Sequence, residues 1–188
     1  MHARIAPAQP PFTSSIQTSL DKIMPPGIPP LALFTTLARD ERLFQRFFSG
    51  GLLDKGHLSL RERELVIHRV TAQCGSEYEW GVHTTLFATR IKLTEEQIYS
   101  LVYGTSNDTC WEHNEKILIE MCDSLHSTCT LKQELWDTLR LVYSEESLLE
   151  ILMLAGYYRT VSYLTNALNI PLEKFGQRFP AKKAANGG

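Results

Sequence analysis

The chain has 188 residues, 43% of them hydrophobic, which suits one compact domain with a sizeable core rather than two full domains. Its 19 basic and 21 acidic residues are well mixed and give a net charge of -2, which argues against nucleic-acid binding and against an anionic membrane surface. No apolar run has the length of a membrane span or the form of a secretory signal, so a soluble, cytoplasmic protein is expected.

The N-terminal segment, residues 1–29, is predicted to be a tail followed by one short helix. Its first 11 residues are rich in Pro and Ala and carry no chemistry. A helix over 13–24 follows, which Pro25-Pro26-Gly27 is expected to end. The next amphipathic run, 31–48, reads as one longer helix whose phenylalanines face the core or a subunit contact.

Capping signals mark the helices in the middle of the chain. Ser59 with Glu62, and Thr94 with Gln97, have the spacing of a capping box, in which the first side chain caps the helix and the second reaches back to it. The helices predicted for this region cover residues 59–74, 77–90 and 94–103.

The second half of the chain has the same helical character. Thr130 with Gln133 repeats the capping-box signature, and the last helix is apolar nearly all round, so it is expected to be buried on most sides or shared with another subunit. The predicted helices cover 111–127, 131–143 and 144–169. Because no strand-period alternation is evident, the sequence predicts an all-α domain over 30–175 and a flexible tail over 176–188.

One spacing occurs twice in the stretch from Glu64 to His83. Glu64 precedes His68 by four residues, and Glu79 precedes His83 by the same interval, which places each pair on one face of a helix. The surrounding residues are strongly apolar, so a carboxylate there needs a partner. If the two helices form an antiparallel hairpin, all four side chains can point into one space, which is a candidate site for proton transfer.

Three stretches, in this order, resemble the carboxymuconolactone decarboxylase and AhpD-like superfamily: RERELVIHRVTAQCGSEYEWGVH, KLTEEQIYSLVYG and LEILMLAGYYRTVSYLTNALNIPLE. The resemblance covers about residues 30 to 175. It implies an AhpD-like helical fold, self-association into trimers or hexamers, and a small-molecule substrate. No cofactor, no bound metal and no nucleic-acid or membrane partner is expected.

The AhpD branch of this superfamily reduces peroxides with a CxxC pair, a glutamate and a histidine. By this resemblance Glu64 and His83 match the glutamate and the histidine, while Ser76 and Glu79 stand in the places of the two cysteines and Tyr78 lies between them. Thiol peroxidase chemistry needs a thiolate and a group that discharges the sulfenate. An alkylhydroperoxide reductase, peroxiredoxin-type activity would therefore depend on an atypical cysteine.

That cysteine is Cys74, two positions before Ser76, acting with an outside thiol or with another cysteine brought close by folding. The cysteines include no CxxC pair and lie in or beside predicted helices, which favours reduced thiols over a disulfide framework. The four are Cys74, Cys110, Cys122 and Cys129.

The decarboxylase branch resembles the chain more closely at Glu79 and His83, where it too carries a carboxylate and a histidine. This implies decarboxylation or isomerisation of a small carboxylated or lactone-type substrate. In this interpretation His83 transfers the proton, Glu79 orients or charges it, Glu64 extends the relay and Tyr78 donates to an oxyanion.

Several alternatives stay open at this point. His68 is either a partner that supports the catalytic residues or a packed or solvated histidine, and Arg69 and Arg159 are possible clamps for a substrate carboxylate. The tyrosines of the last helix, Tyr157 and Tyr158, are expected in the core. The doubled Glu and His could also ligate a metal, or stabilise a non-catalytic oligomeric scaffold through a buried hydrogen-bond network.

Overall fold

A computed structural model describes residues 3–24 and 27–183, and this part of the chain forms nine helices and no strand, which confirms the predicted all-α fold. The helices are α1 (Ser14–Ile23), α2 (Ala32–Leu37), α3 (Glu41–Ser49), α4 (Leu60–Gln73), α5 (Glu77–Phe87), α6 (Glu95–Tyr103), α7 (His113–Thr128), α8 (Gln133–Val142) and α9 (Glu145–Ala167). The predicted stop at Pro25 and Pro26 and the last five residues of the tail lie outside the described residues.

The helix α4 lies at the centre of the domain and packs against α5, α6, α7 and α9. From Glu64 to Thr71 every residue of α4 is buried, so the helix is covered on all sides along this stretch. Polar side chains there can be accommodated only with partners. The candidate site residues on α4 are therefore in the interior of the domain.

The region before α4 differs from its prediction. The prediction of a single helix over 31–48 is wrong, because the structure has two helices there, α2 and α3. The Asp40 carboxylate accepts a hydrogen bond from the backbone N–H of Leu43 and so caps the start of α3. The phenylalanines of the two helices still pack together, and Phe44 joins α1 residues in a small second core.

Two of the three predicted capping boxes are confirmed, at Ser59 for α4 and at Thr94 for α6. The third is wrong. α8 begins at Gln133 with Lys132 in the capping position and no side-chain cap, so Thr130 lies outside the helix.

The segment that follows α9 is held against the domain, which corrects the expected flexible tail for residues 176–183. The backbone N–H of Gln177 donates to the carbonyl of Gly81 at 3.2 Å, and Phe179 packs on the Trp80 ring at 5.1 Å between centroids. A side chain at Gly81 would collide with the Gln177 carbonyl, so this close approach requires glycine.

The N-terminal segment also lies on the domain. The backbone N–H of Arg4 donates to the carbonyl of Leu168, and that of Ala8 donates to the carbonyl of Thr35. The described part of the N-terminal segment therefore contacts the C-terminal end of α9 and residues of α2.

The long helix α9 buries one face and exposes the other. Leu149, Met153 and Tyr163 lie on the exposed face, each more than half exposed (63%, 62% and 59%). Self-association through such a face stays a prediction. In the part of the chain that the structure describes, no helix has the length and apolar character that a membrane span requires.

Candidate active site

The turn between α4 and α5 brings the two candidate helices together. Gly75 has a φ of 64°, a conformation that glycine adopts far more readily than other residues, and it lets the chain reverse direction directly after α4. α5 then packs against α4. This arrangement places His83, on the second turn of α5, opposite Glu64, which precedes it by 19 residues.

Glu64, His83 and Glu79 form a continuous chain of polar contacts, which we call the relay. The Nδ1 atom of His83 lies 2.8 Å from Oε2 of Glu64, and its Nε2 atom lies 3.4 Å from Oε1 of Glu79. Glu64 is fully buried, and His83 and Glu79 are only 4% and 7% exposed. The contacts are therefore shielded from solvent. Charge interactions are stronger in such an interior than in water.

The electrostatics of the relay favour a charged imidazole. Burial by itself would lower the pKa of His83, but the charges and hydrogen bonds of Glu64 and Glu79 outweigh it and raise that pKa to about 10. Burial would likewise raise the pKa of Glu64, yet the positive charge and hydrogen bond of His83 bring the pKa below its ordinary value. At neutral pH His83 is therefore an imidazolium whose two N–H groups both donate.

The second oxygen of Glu79, Oε2, is buried and has no hydrogen-bond partner among the described residues. A buried carboxylate oxygen without a partner is costly and needs an explanation. Here it lies beside an imidazolium, in the position of a group that can accept a proton or a donor from a bound molecule.

Two aromatic rings fix the imidazole. Phe87 stacks on His83 with ring centroids 5.3 Å apart, and Tyr158 meets it edge to face at 5.2 Å. The Tyr158 oxygen also lies 3.2 Å from Nε2 of His83, where it can accept from the imidazolium. Burial raises the pKa of Tyr158 well above its ordinary value, so the phenol stays protonated and its own O–H can donate elsewhere.

Tyr158 was expected in the core, and the structure places it against the relay as well. It lies on α9, 75 residues from His83, so no local spacing connects the two. The sequence did not point to Arg63 either. Its guanidinium lies 3.4 Å from Oε1 of Glu64 and donates to the backbone carbonyl of Leu53.

His68 is buried on α4 but does not join the relay. Burial lowers its pKa to about 4, so the ring is neutral at pH 7, and Nδ1 donates to the backbone carbonyl of Glu64 at 2.6 Å. Nδ1 of His68 also lies 3.9 Å from Oε2 of Glu64, too far for a hydrogen bond, so His68 borders the relay without a hydrogen bond to its side chains. No cluster of three or more His, Cys, Asp or Glu side chains suited to a metal ion occurs in the described ranges, so the geometry does not support the four-ligand interpretation.

Tyr78 points away from the relay. Its hydroxyl donates to Glu173 at 2.5 Å and accepts from the backbone N–H of Leu33 at 3.1 Å, which ties α5 to α2 and to the segment after α9. With its proton used in this way, the hydroxyl is not placed to donate to an oxyanion at His83. The geometry assigns Tyr78 a structural position.

Ser76 and Cys74 also lie away from the relay. The Ser76 hydroxyl makes a buried hydrogen bond of 2.8 Å with Thr165 on α9. Cys74 is partly buried, and burial raises the pKa of its thiol in spite of the nearby Arg159. A raised pKa reduces the thiolate that a peroxide-reducing cysteine needs.

The two buried histidines predict opposite effects of pH on stability. Folding raises the pKa of His83 from 6.5 to about 10, so its stabilising contribution is complete below pH 6.5 and is lost as pH rises toward 10. Folding lowers the pKa of His68 from 6.5 to about 4, so stability falls as pH drops through that window. In urea unfolding across pH, the stability lost in His83→Gln should shrink between pH 6.5 and 10. The stability lost in His68→Gln should stay constant between pH 6.5 and 10. If the stability loss depends on pH in the same way in both variants, the opposite charge states assigned to His83 and His68 are contradicted.

Comparison with known proteins connects this site to a family. Residues 41–112 match the model of the carboxymuconolactone decarboxylase family, a segment that contains all three relay residues. Tyr158 lies outside the matched segment. No curated protein matches the sequence significantly.

Solved structures share the fold at low sequence identity. An uncharacterised peroxidase-related protein from Silicibacter sp. TM1040 superposes with a TM-score of 0.77 at 14% identity, covering 93% of this chain and 94% of that one. A peroxidase-related protein from Ralstonia eutropha JMP134, described as an alkylhydroperoxidase AhpD core, gives 0.74 at 14% identity over 93% and 95%. The debrominase Bmp8, in a complex with 2,3,4-tribromopyrrole, gives 0.68 at 16% identity over 93% and 94%.

Proposed function

Because residues 41–112, which contain the relay, match the carboxymuconolactone decarboxylase family model, we propose that the chain is an acid/base enzyme that moves a proton on a carbon next to a carbonyl in a small lactone-type substrate. The observation that carries this proposal is the buried imidazolium of His83, held by Glu64 at 2.8 Å beside the unpartnered oxygen of Glu79. A proton donor and a proton acceptor are thereby brought to one point, as enolisation of a carbonyl compound requires.

The proposed reaction gives each relay residue a different role. Glu79 takes a proton from the carbon beside the carbonyl, and the electron pair of that C–H bond forms the enolate. The Nε2–H group of His83 stabilises the enolate oxygen by donating a hydrogen bond and keeps its proton, with the Tyr158 hydroxyl beside it. In an unsaturated lactone the enolate extends over the C=C bond, so Glu79 can return its proton to the far carbon, which shifts the double bond, yields an isomer and restores the site.

Glu64 does not touch the substrate in this scheme. It accepts from Nδ1–H of His83, fixes the ring orientation and stabilises the positive charge, so the imidazole can act as an acid at neutral pH. Tight positioning of this kind makes a proton transfer efficient because no reorganisation is needed during the reaction.

The charges around the relay favour a neutral lactone over decarboxylation of an acid. A substrate carboxylate would meet the carboxylate of Glu79 and would need a cation besides the His83 imidazolium, whose two nitrogens already face the carboxylates of Glu64 and Glu79. Arg69 is not free for that role, since both of its Asp123 contacts are short, at 2.6 and 3.0 Å. Arg159 lies instead in a groove between α4, α7 and α9. Isomerisation of an uncharged lactone is therefore the better fit.

The structural neighbours support a small cyclic substrate rather than a particular reaction. The debrominase with this fold forms a complex with 2,3,4-tribromopyrrole, which is a compact ring. Two other neighbours are peroxidase-related, but the raised pKa of Cys74 makes a thiolate mechanism in this chain the weaker alternative.

Solvent hydrogen exchange tests the proposal without knowledge of the natural substrate. Small unsaturated lactones are incubated with the protein in deuterated water, and NMR follows deuterium entering at the carbon beside the carbonyl. We expect exchange above background, reduced about 10²–10⁴-fold in Glu79→Gln, because that variant loses the base. Glu120→Gln, an exposed change on α7, is the matched control and should exchange normally.

Other results would identify the alternatives. Exchange that survives in Glu79→Gln would remove that residue from the chemistry. If no lactone exchanges and a peroxide pulse rapidly oxidises Cys74 alone, the thiol peroxidase is the function. If neither reaction occurs, and if the Glu79→Gln and Glu120→Gln proteins both keep a stable assembly, the scaffold interpretation stands.

A further inference from the structure

A concave site lies away from the relay, and none of its lining residues belongs to the relay. It is a cavity of about 180 Å³ between α4, α7 and α9. Its walls are mainly apolar, with side chains from all three helices: Val70, Leu125, Leu152 and Ala155. An apolar cavity of roughly 150 Å³ is large enough to bind benzene, so this one has room for a single ring.

The charge at the cavity comes from Arg159 on α9. Its Nε donates to the Tyr163 hydroxyl at 2.8 Å and its Nη1 donates to the backbone carbonyl of His126 at 3.3 Å, and both acceptors are neutral. Across residues 3–24 and 27–183, no acidic side chain forms an ion pair with Arg159. A cation without a counter-charge at the mouth of an apolar cavity favours an anionic occupant.

Two neighbouring side chains support the same conclusion. Burial and then the positive charge of Arg159 lower the pKa of His126, so an anion bound beside the guanidinium would offset the second of these effects. Gln73 also lines the cavity: its amide nitrogen donates to Asp123, while its buried Oε1 has no partner within the described part of the chain. Buried polar atoms of this kind are usually paired with water or a ligand.

We propose that this cavity binds a compact carboxylate with an apolar body about one ring in size, with the guanidinium of Arg159 as the partner of the carboxylate. The ring lies between the apolar side chains of α4, α7 and α9. The site is separate from the relay and its occupancy does not depend on the proposed chemistry there. Arg159 directly follows Tyr158, so the two sites share one turn of α9.

Cysteine protection measures occupancy of this cavity directly. Cys129 is exposed and lines the cavity, whereas Cys110 lies elsewhere, between α6 and α7, and serves as the internal reference. The full chain is alkylated with iodoacetamide at increasing benzoate concentrations, and peptide mass spectrometry gives the rate at each cysteine. Benzoate should slow alkylation of Cys129 in a saturable way and leave Cys110 unchanged, while the neutral analogue benzamide should protect much less.

Arg159→Gln separates charge recognition from non-specific binding. This half-buried residue can be changed without opening the core, and loss of one charge-assisted contact should raise the benzoate concentration for half protection about tenfold or more. Arg140→Gln, which removes an exposed arginine on α8, should bind benzoate like the unchanged protein.

Three results would overturn the proposal. One is no protection of Cys129 by benzoate, and another is equal protection in Arg159→Gln. The third is protection of Cys129 without benzoate that increases with protein concentration, because a second copy of the chain would then cover the cavity.

Discussion

Turnover in Glu64→Gln should fall about 10²–10⁴-fold, the largest loss expected from any change that does not touch the substrate. Glutamine is nearly the same size but carries no charge, so it cannot stabilise a positive ring at Nδ1. Without that charge only Glu79 opposes the effect of burial, so the pKa of His83 falls and the imidazolium is less stable. The rate of deuterium exchange into a responsive lactone measures this effect.

The design of that experiment must separate chemistry from folding. Glu64 is fully buried, and Arg63 loses a neighbour in the variant, so thermal unfolding is measured beside the rate. Glu64→Asp keeps the charge and should recover part of the rate if charge on His83 is what matters. A folded Glu64→Gln protein with normal exchange would contradict a role for Glu64 in catalysis.

Arg69→Met is expected to destabilise the domain by about 3–5 kcal/mol, because it breaks a largely buried ion pair and removes the guanidinium donors from a carboxylate and from backbone carbonyls. Arg69 is 6% exposed, and its guanidinium binds both carboxylate oxygens of Asp123 and the backbone carbonyls of Leu101 and Gly104. These contacts join α4, α6 and α7. Urea unfolding gives the free energy directly.

Arg140→Met is the matched control for this loss. Arg140 pairs with Glu145 on the surface, where an ion pair contributes only about 0–1 kcal/mol. Equal losses in the two variants would show that the Arg69 contacts contribute no more than a surface pair. Retained binding or turnover in the Arg69 variant at low temperature would agree with its structural position.

Local patterns predicted much of this molecule. The capping boxes at Ser59 and Thr94 start α4 and α6 because they depend only on residues three positions apart. The meeting of Glu64 with His83 follows from the helical repeat and the glycine turn between α4 and α5. These features depend on residues that are close together in the chain, so they can be predicted from the sequence.

Long-range contacts were beyond such patterns. Tyr158 on α9 contacts His83, and Glu173 accepts a hydrogen bond from the hydroxyl of Tyr78, which lies 95 residues earlier in the chain. Both depend on how distant helices pack, which no interval in the sequence encodes. The break between α2 and α3 shows a different failure: the apolar periodicity continues through Asp40, while the local hydrogen bond of its carboxylate restarts the helix.

The charge on His83 is the central claim, and ¹⁵N NMR of its imidazole across pH tests it most directly. The account predicts an imidazolium that keeps both ring protons through neutral pH and titrates near 10, because Glu64 and Glu79 hold the charge. In Glu64→Gln the same signal should titrate at a lower pH. A His83 ring that titrates at about 6.5 in the unchanged protein, as a free histidine does, would contradict the relay.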